Sequence, residues 1–279
     1  MKEKNVYILL REIEKLNPAT LYGVHLAKAL KTRATLLAVK QMAFTEVPST
    51  VAGTGMIYPP IVEFESHREK MEPHLRQLSV QLKSIFKDID YRIVTGFSEQ
   101  KTISITENDN PYLLVVESNN DLTTLNEWFG THETRLAEGA ECPVLVVPQK
   151  TNWKDIRKML YIMDPADAKV ENMRVLTNLV ESLNAHLQVV LLTDQEEADS
   201  AISFAQMVEI FRELLGYEDV TFHQIIGQKT NEEIIELLET TEPDWMAFEQ
   251  KNKNFFERVF DEYNTKRLIL QSEIPVLVF

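Results

Sequence analysis

Cysteine is almost missing: Cys142 is the single one in 279 residues. An internal disulfide is therefore excluded, and the chain suits a reducing compartment. Long apolar runs are missing too. None approaches the ~20 residues needed to cross a bilayer, and no signal-type apolar core comes after Lys2 and Lys4. These lacks set the expectation of a cytoplasmic protein with no membrane partner. Positive charge is in deficit: Lys and Arg number 29 against 43 Asp and Glu, for a formal net charge of −14. That field repels nucleic acid and anionic surfaces, and it works against any polyphosphate unless a local cluster of donors overrides it. Catalytic and metal signatures are missing as well. The six histidines, His25, His67, His74, His132, His186 and His223, form no Cys/His cluster and no His-Glu-x-x-His helix. Glu63, His67 and His74 share a helix face, an arrangement commonplace on surfaces. No Gly-x-Ser-x-Gly elbow occurs, and no defensible catalytic constellation is legible. Cys142 lies just before an apolar strand and reads as a packed thiol rather than a nucleophile.

What is present is a repeat. Hydrophobic residues make up 44% of the chain, enough for two ordinary cores, and the length suits about two domains. Short apolar runs at 6–10, 35–39, 91–94, 112–116 and 144–147 read as strands. Helical patterns lie between them at 18–30, 63–86 (bent near Pro73), around Ile103 and Ile105, and at 122–140. The second half repeats the succession, with strands at 159–163, 188–192, 220–226, 245–248 and 276–279. Its helices fall at 170–183, 198–215, 232–238 and 255–270. Pro111 and Pro143 recur as Pro243 and Pro275 at a shift of 132 residues, Gly96 recurs as Gly227 at 131, and Arg11 matches Asp164 at 153. The first half is longer by about 21 residues, which fall near 41–64. Strands alternating with helices imply parallel pairing and right-handed crossovers. The expected fold class is α/β, with two tandem five-stranded parallel-sheet, Rossmann-like domains at 1–148 and 153–279 joined by a hinge at 149–152.

This layout resembles the universal stress protein family in its tandem form, over nearly the whole chain. The resemblance rests on Cys142-Pro143-Val144-Leu145-Val146 and Ile274-Pro275-Val276-Leu277-Val278, on Gly96 and Gly227 after the third strands, and on Pro111 and Pro243 before the fourth. It implies the adenine-nucleotide alpha-hydrolase-like fold and a pseudo-twofold pairing of 144–147 with 276–279. ATP or AMP is bound in some branches of the family. The ATP-binding branch has a loop of Gly, two residues, Gly, nine residues, Gly, then Ser or Thr. Here Glu117 and Asn120 take the places of the first two glycines, and Gly130 and Thr131 match the end. In the second half Glu249, Asn252, Glu262 and Tyr263 stand at those places. Glycines there let bare backbone N–H groups approach phosphate; a carboxylate both blocks and repels. The family's Asp at the end of the first strand is matched by Asp164, while Arg11 holds that place in the first half.

The leading expectation is a stress-response module that has lost ATP binding, is not an enzyme, and acts through an unknown protein partner or small ligand. The intramolecular pseudo-dimer leaves further homo-oligomerisation open. The alternative is a binder of ATP, AMP or adenosine with a changed loop, centred on Asp164 or on Gly130 and Thr131. Asp164 before Pro165 also reads as a plain turn or helix cap, and Gly130 as the end of a helical turn. A slow ATPase is a third class, for which no catalytic group is found. Trp128 and Phe129 face Val259 and Phe260 in the repeat and read as packing, with an apolar ligand slot as the alternative. The nearly uncharged loop 51–58 reads as a cover or an oligomer contact.

Overall fold

A computed structural model of the chain describes residues 4–11, 13, 16–41, 62–118, 131–193, 203–226, 230–249 and 274–279. In the first half β1 (Asn5–Leu10), β2 (Arg33–Gln41), β3 (Ile89–Gly96), β4 (Leu113–Glu117) and β5 (Val144–Val147) alternate with α1 (Pro18–Ala29), α2 (Val62–Leu82), α3 (Ser98–Asp109) and α4 (Thr131–Gly139). The second half holds β6 (Lys158–Met163), α5 (Val170–Leu183), β7 (His186–Thr193), α6 (Phe204–Leu215), β8 (Val220–Ile226), α7 (Thr230–Thr241), β9 (Trp245–Phe248) and β10 (Val276–Val278). The expected strands all form. Of the expected helices at 122–140 and 198–215, the structure describes 131–139 and 204–215. The expected helix at 255–270 and the loop 51–58 lie outside the described residues.

Local chemistry explains the boundaries. Asn17 caps α1, its Oδ1 accepting the Thr20 N–H at 2.7 Å, and Pro18 occupies the first turn, where no N–H is needed. Ser203 and Gln206 form a reciprocal capping box at α6, and Gly216 ends it at φ +60°. Gly23 is required by packing: a Cβ there would lie 2.7 Å from Ile8 Cγ1, so only glycine lets α1 lie this close to β1.

The ten strands form one sheet in the order β3-β2-β1-β4-β5-β10-β9-β6-β7-β8. That order is the same five-strand layout written twice, the second time reversed. All neighbours are parallel except β5 and β10, which run antiparallel with Val146 opposite Val276, Leu145 opposite Leu277 and Val144 opposite Val278. The pairing that the resemblance implied is thus the one observed, and the pseudo-twofold passes through the Leu145–Leu277 pair. Strand residues alternate between two cores, and each core crosses the seam. Ile8, Leu145, Tyr161 and Leu277 lie on one face; Leu9, Val146, Ile162 and Val276 lie on the other.

The segment 149–152, expected as a hinge, leads into a docked linker. Thr151 and Ile156 are buried. Trp153 meets Tyr22 edge-on at 5.0 Å and stacks on His25 at 5.9 Å. Asp244 receives the Lys154 ammonium at 2.6 Å and the N–H groups of Arg157 and Lys158 at 2.7 and 3.0 Å. Across the seam, the fully buried Trp245 donates its Nε1–H to the Tyr22 hydroxyl at 2.6 Å. Burial drives the Tyr22 hydroxyl well above its ordinary range, against the smaller opposing pull of the Trp245 contact. Tyr22→Phe would strand that buried donor. We expect a loss of about 1–3 kcal/mol, read as a lower urea midpoint with an unchanged slope.

Candidate functional site

In each half the chain leaves the first strand toward one edge and returns through the fourth strand on the other side. The crevice at the carboxyl ends of β1 and β4, and that of β6 and β9, is therefore a topological switch point, where open α/β sheets hold ligands. A glutamate stands at or just past the carboxyl end of the fourth strand in each half.

In the first half Glu117 ends β4, and its Oε2 accepts from Asn17 Nδ2 at 3.0 Å. Asn17 thus divides its amide, the oxygen capping α1 and the nitrogen holding Glu117. Arg11, just past β1, places Nη1 3.9 Å from Glu133 Oε1, and Glu133 lies 1% exposed in the first turn of α4. Neither Glu133 oxygen has a hydrogen-bond partner. Arg11 compensates this buried acid, and the helix N-terminus favours a negative charge there.

In the second half Glu249 comes directly after β9 and is 3% exposed. Its Oε1 accepts the Tyr161 O–H at 2.7 Å and its Oε2 accepts Asn172 Nδ2 at 2.7 Å. Asn172 lies in the first turn of α5, and Lys169 is that helix's N-cap. Burial pushes the Glu249 carboxyl above the usual range; Tyr161, Asn172 and Lys169 pull it down without overcoming burial, and Asp167 adds to the rise. Tyr161 is raised above its own range by burial and then by the Glu249 charge.

Of the residues expected to hold a nucleotide, Asp164 stands at the end of β6, where its Oδ1 accepts the Ala166 N–H at 2.9 Å and caps a 3-10 turn. That is the turn-starting role that Asp before Pro165 also suggests. Thr131 is the first residue of α4. Gly130, Asn120, Asn252, Glu262 and Tyr263 lie outside the described residues, as do Trp128, Phe129, Val259 and Phe260. Cys142 is buried, and burial pushes its thiol up to about 12, in keeping with a packing role. Among the described residues no group of three or more His, Cys, Asp or Glu could hold a metal ion, and no helix is long and apolar enough to cross a membrane. Beside the linker a concavity of about 320 Å³ is lined by Leu16, Pro18, Leu21, His25, Asn152 and Trp153.

Sequence reasoning missed Asn17, Asn172, Tyr161 and Glu133 as partners of these charges. Asn17 before Pro18 carries a capping signal. The other three stand 77, 88 and 122 residues from the groups they meet, and nothing local marks them.

This is the tandem universal stress protein fold, with a glutamate at or just past the carboxyl end of each fourth strand. The sequence matches no family model and no curated protein. Solved structures do match. One is a universal stress protein from Archaeoglobus fulgidus DSM 4304, at TM-score 0.64 and 13% identity, covering 98% of this chain and 95% of its own. Another, from Pseudomonas aeruginosa UCBPP-PA14 and carrying the universal stress protein name, matches at 0.61 and 14%, with coverage of 100% and 93%. A third is the cytoplasmic domain of a prokaryotic cation chloride cotransporter, at 0.51 and 10%, with coverage of 99% and 95%. These likenesses establish the fold.

The raised Glu249 carboxyl fixes the sign of a pH effect. Its proton is held more tightly in the folded than in the unfolded chain, so its contribution is fully present below the unfolded pKa and fades as pH rises through the folded one. The melting temperature of Glu249→Gln relative to the native chain should therefore rise as pH rises from 4.5 to 8, as read by paired thermal melts.

Proposed function

We propose that this chain is a universal-stress-type two-lobed module that does not bind ATP and that works by contact with a protein partner or by holding a small ligand outside the crevices. The observation that carries this reading is the burial of Glu249 with both carboxylate oxygens satisfied, by Tyr161 and by Asn172 in the first turn of α5. A helix N-terminus attracts an anion. Here the anion is internal, and it stands at the place of the first phosphate-loop glycine. Glu117 with Asn17 repeats the device in the first half. A triphosphate entering either crevice meets a fixed carboxylate instead of bare N–H groups, and a unit charge pair at 4 Å costs about 1 kcal/mol in water and several-fold more when partly buried. The net charge of −14 adds to the repulsion.

Two further points support an interaction role. The same fold forms the cytoplasmic domain of a cation chloride cotransporter, where it is one part of a larger protein. The concavity beside Trp153 offers an apolar seat of small-molecule size. The competing reading, an adenine-nucleotide binder centred on Asp164 or on Gly130 and Thr131, predicts the opposite result in one experiment. Calorimetric titration with ATP and with AMP should give no binding heat, and Asp164→Ala should leave that result unchanged. Micromolar binding by the native chain that disappears in Asp164→Ala would sink our reading and establish the competing one.

A further inference from the structure

At the amino ends of the second-half strands, opposite the crevice, three side chains form a line that sequence spacing hides. His186 opens β7 and Thr221 is the second residue of β8. The parallel register sets Leu187 beside Val220 and Gln188 beside Thr221, so His186, Asp219 and Thr221 project from one face of the sheet. The His186 Nδ1 lies 2.7 Å from Asp219 Oδ1, and its Nε2 lies 3.1 Å from Thr221 Oγ1. A carboxylate only accepts, so Nδ1 carries the proton and donates to Asp219. In the neutral ring Nε2 is then bare and can accept the Thr221 O–H.

From this geometry we infer that Thr221 is an acyl-accepting nucleophile, with His186 as its general base and Asp219 as the group that positions the imidazole. The relation is that of a hydroxyl–imidazole–carboxylate triad, which is recognised by geometry and roles and not by chain order. Gln188 lies directly across from Thr221 in the register, and its carboxamide oxygen is buried without a hydrogen-bond partner. Asp219 has 65% of its side chain exposed and His186 29%, and Thr221 is exposed. The site is open, so it suits small unhindered acyl donors and saturates weakly.

The reaction balances without any added oxidant or metal. Thr221 Oγ1 forms a bond to the ester carbonyl carbon while its proton passes to His186 Nε2, and Asp219 stabilises the imidazolium. The tetrahedral intermediate collapses, the bond to the leaving oxygen breaks, and Nε2 returns the proton to that oxygen or to solvent. Water then gives a proton to Nε2 and attacks the acyl carbon; the bond to Thr221 Oγ1 breaks, Nε2 returns the proton to Oγ1, and a carboxylic acid leaves. The sum is ester plus water to acid plus alcohol.

This inference is independent of the crevice reading, since the two sites lie at opposite strand ends. The test is p-nitrophenyl acetate hydrolysis by the full chain, with the quenched protein mapped by mass spectrometry. The native chain should exceed buffer and carry acetyl on Thr221. Thr221→Val, which keeps the shape and deletes the hydroxyl, and His186→Asn should each lower kcat/KM by about 10-fold or more, while Thr221→Ser retains it. All three variants should melt with the native chain. If Thr221→Val hydrolyses as fast as the native chain, if the acetyl sits elsewhere, or if no rate exceeds buffer, the His186–Asp219–Thr221 line is only a strand-end hydrogen-bond chain and the inference fails.

Discussion

The antiparallel pairing of β5 with β10 is the constraint on which the remainder hangs. Three apolar residues on each strand meet around the Leu145–Leu277 pair, and every one of them is buried. Without this contact each half would present an apolar strand edge, a template for non-specific association. With it, two sheets become one ten-stranded sheet, and both hydrophobic cores pass through the seam uninterrupted. The linker then has a surface to dock on. Trp153, Tyr22, His25 and Trp245 interlock there, and Asp244 draws in Lys154 and two backbone N–H groups. Relative motion of the halves would break all of these at once.

The same twofold arrangement presents two switch points, and the glutamate at each is held in its own way. The first half uses Glu117 held by a capping Asn17, with Arg11 and Glu133 forming a second charged pair beside it. The second half uses the more deeply buried Glu249, satisfied on both oxygens. A buried carboxylate is costly unless donors meet it, and Tyr161 and Asn172 supply those donors. Their presence explains how an acid can stand at a strand end inside the protein. Among the described residues the first-half Glu133 has the Arg11 charge at a distance and no hydrogen-bond partner, and the burial of that acid is the less complete solution.

Much of this was legible in the residues. The apolar runs were continuous enough to mark all ten strands, because strands buried on both faces show no alternation to confuse the reading. Pro143 and Pro275 before matching Val-Leu-Val runs gave the repeat. The glutamates at 117 and 249 were visible as departures at the ends of the fourth strands. Their partners were not visible. Tyr161 and Asn172 reach Glu249 from 88 and 77 residues away, and they are an ordinary strand tyrosine and helix asparagine in the sequence. The docking of the chain just past 149–152 was hidden for a related reason. A short polar run looks flexible in isolation, and only the packing of Trp153 and the pairing of Lys154 with Asp244 pin it to the sheet.

The sequence alone determined the class of fold, the repeat and the acidic character of the strand ends, because those depend on local pattern and residue identity; the strand pairing across the seam was implied only by the family resemblance. Only the tertiary structure decided what each charge does. It brought Asn17 to Glu117, Asn172 and Tyr161 to Glu249, and Thr221 to His186 and Asp219. Parallel strands joined through helices place residues dozens of positions apart side by side, and the register that does so is set by packing, which no short stretch of chain encodes.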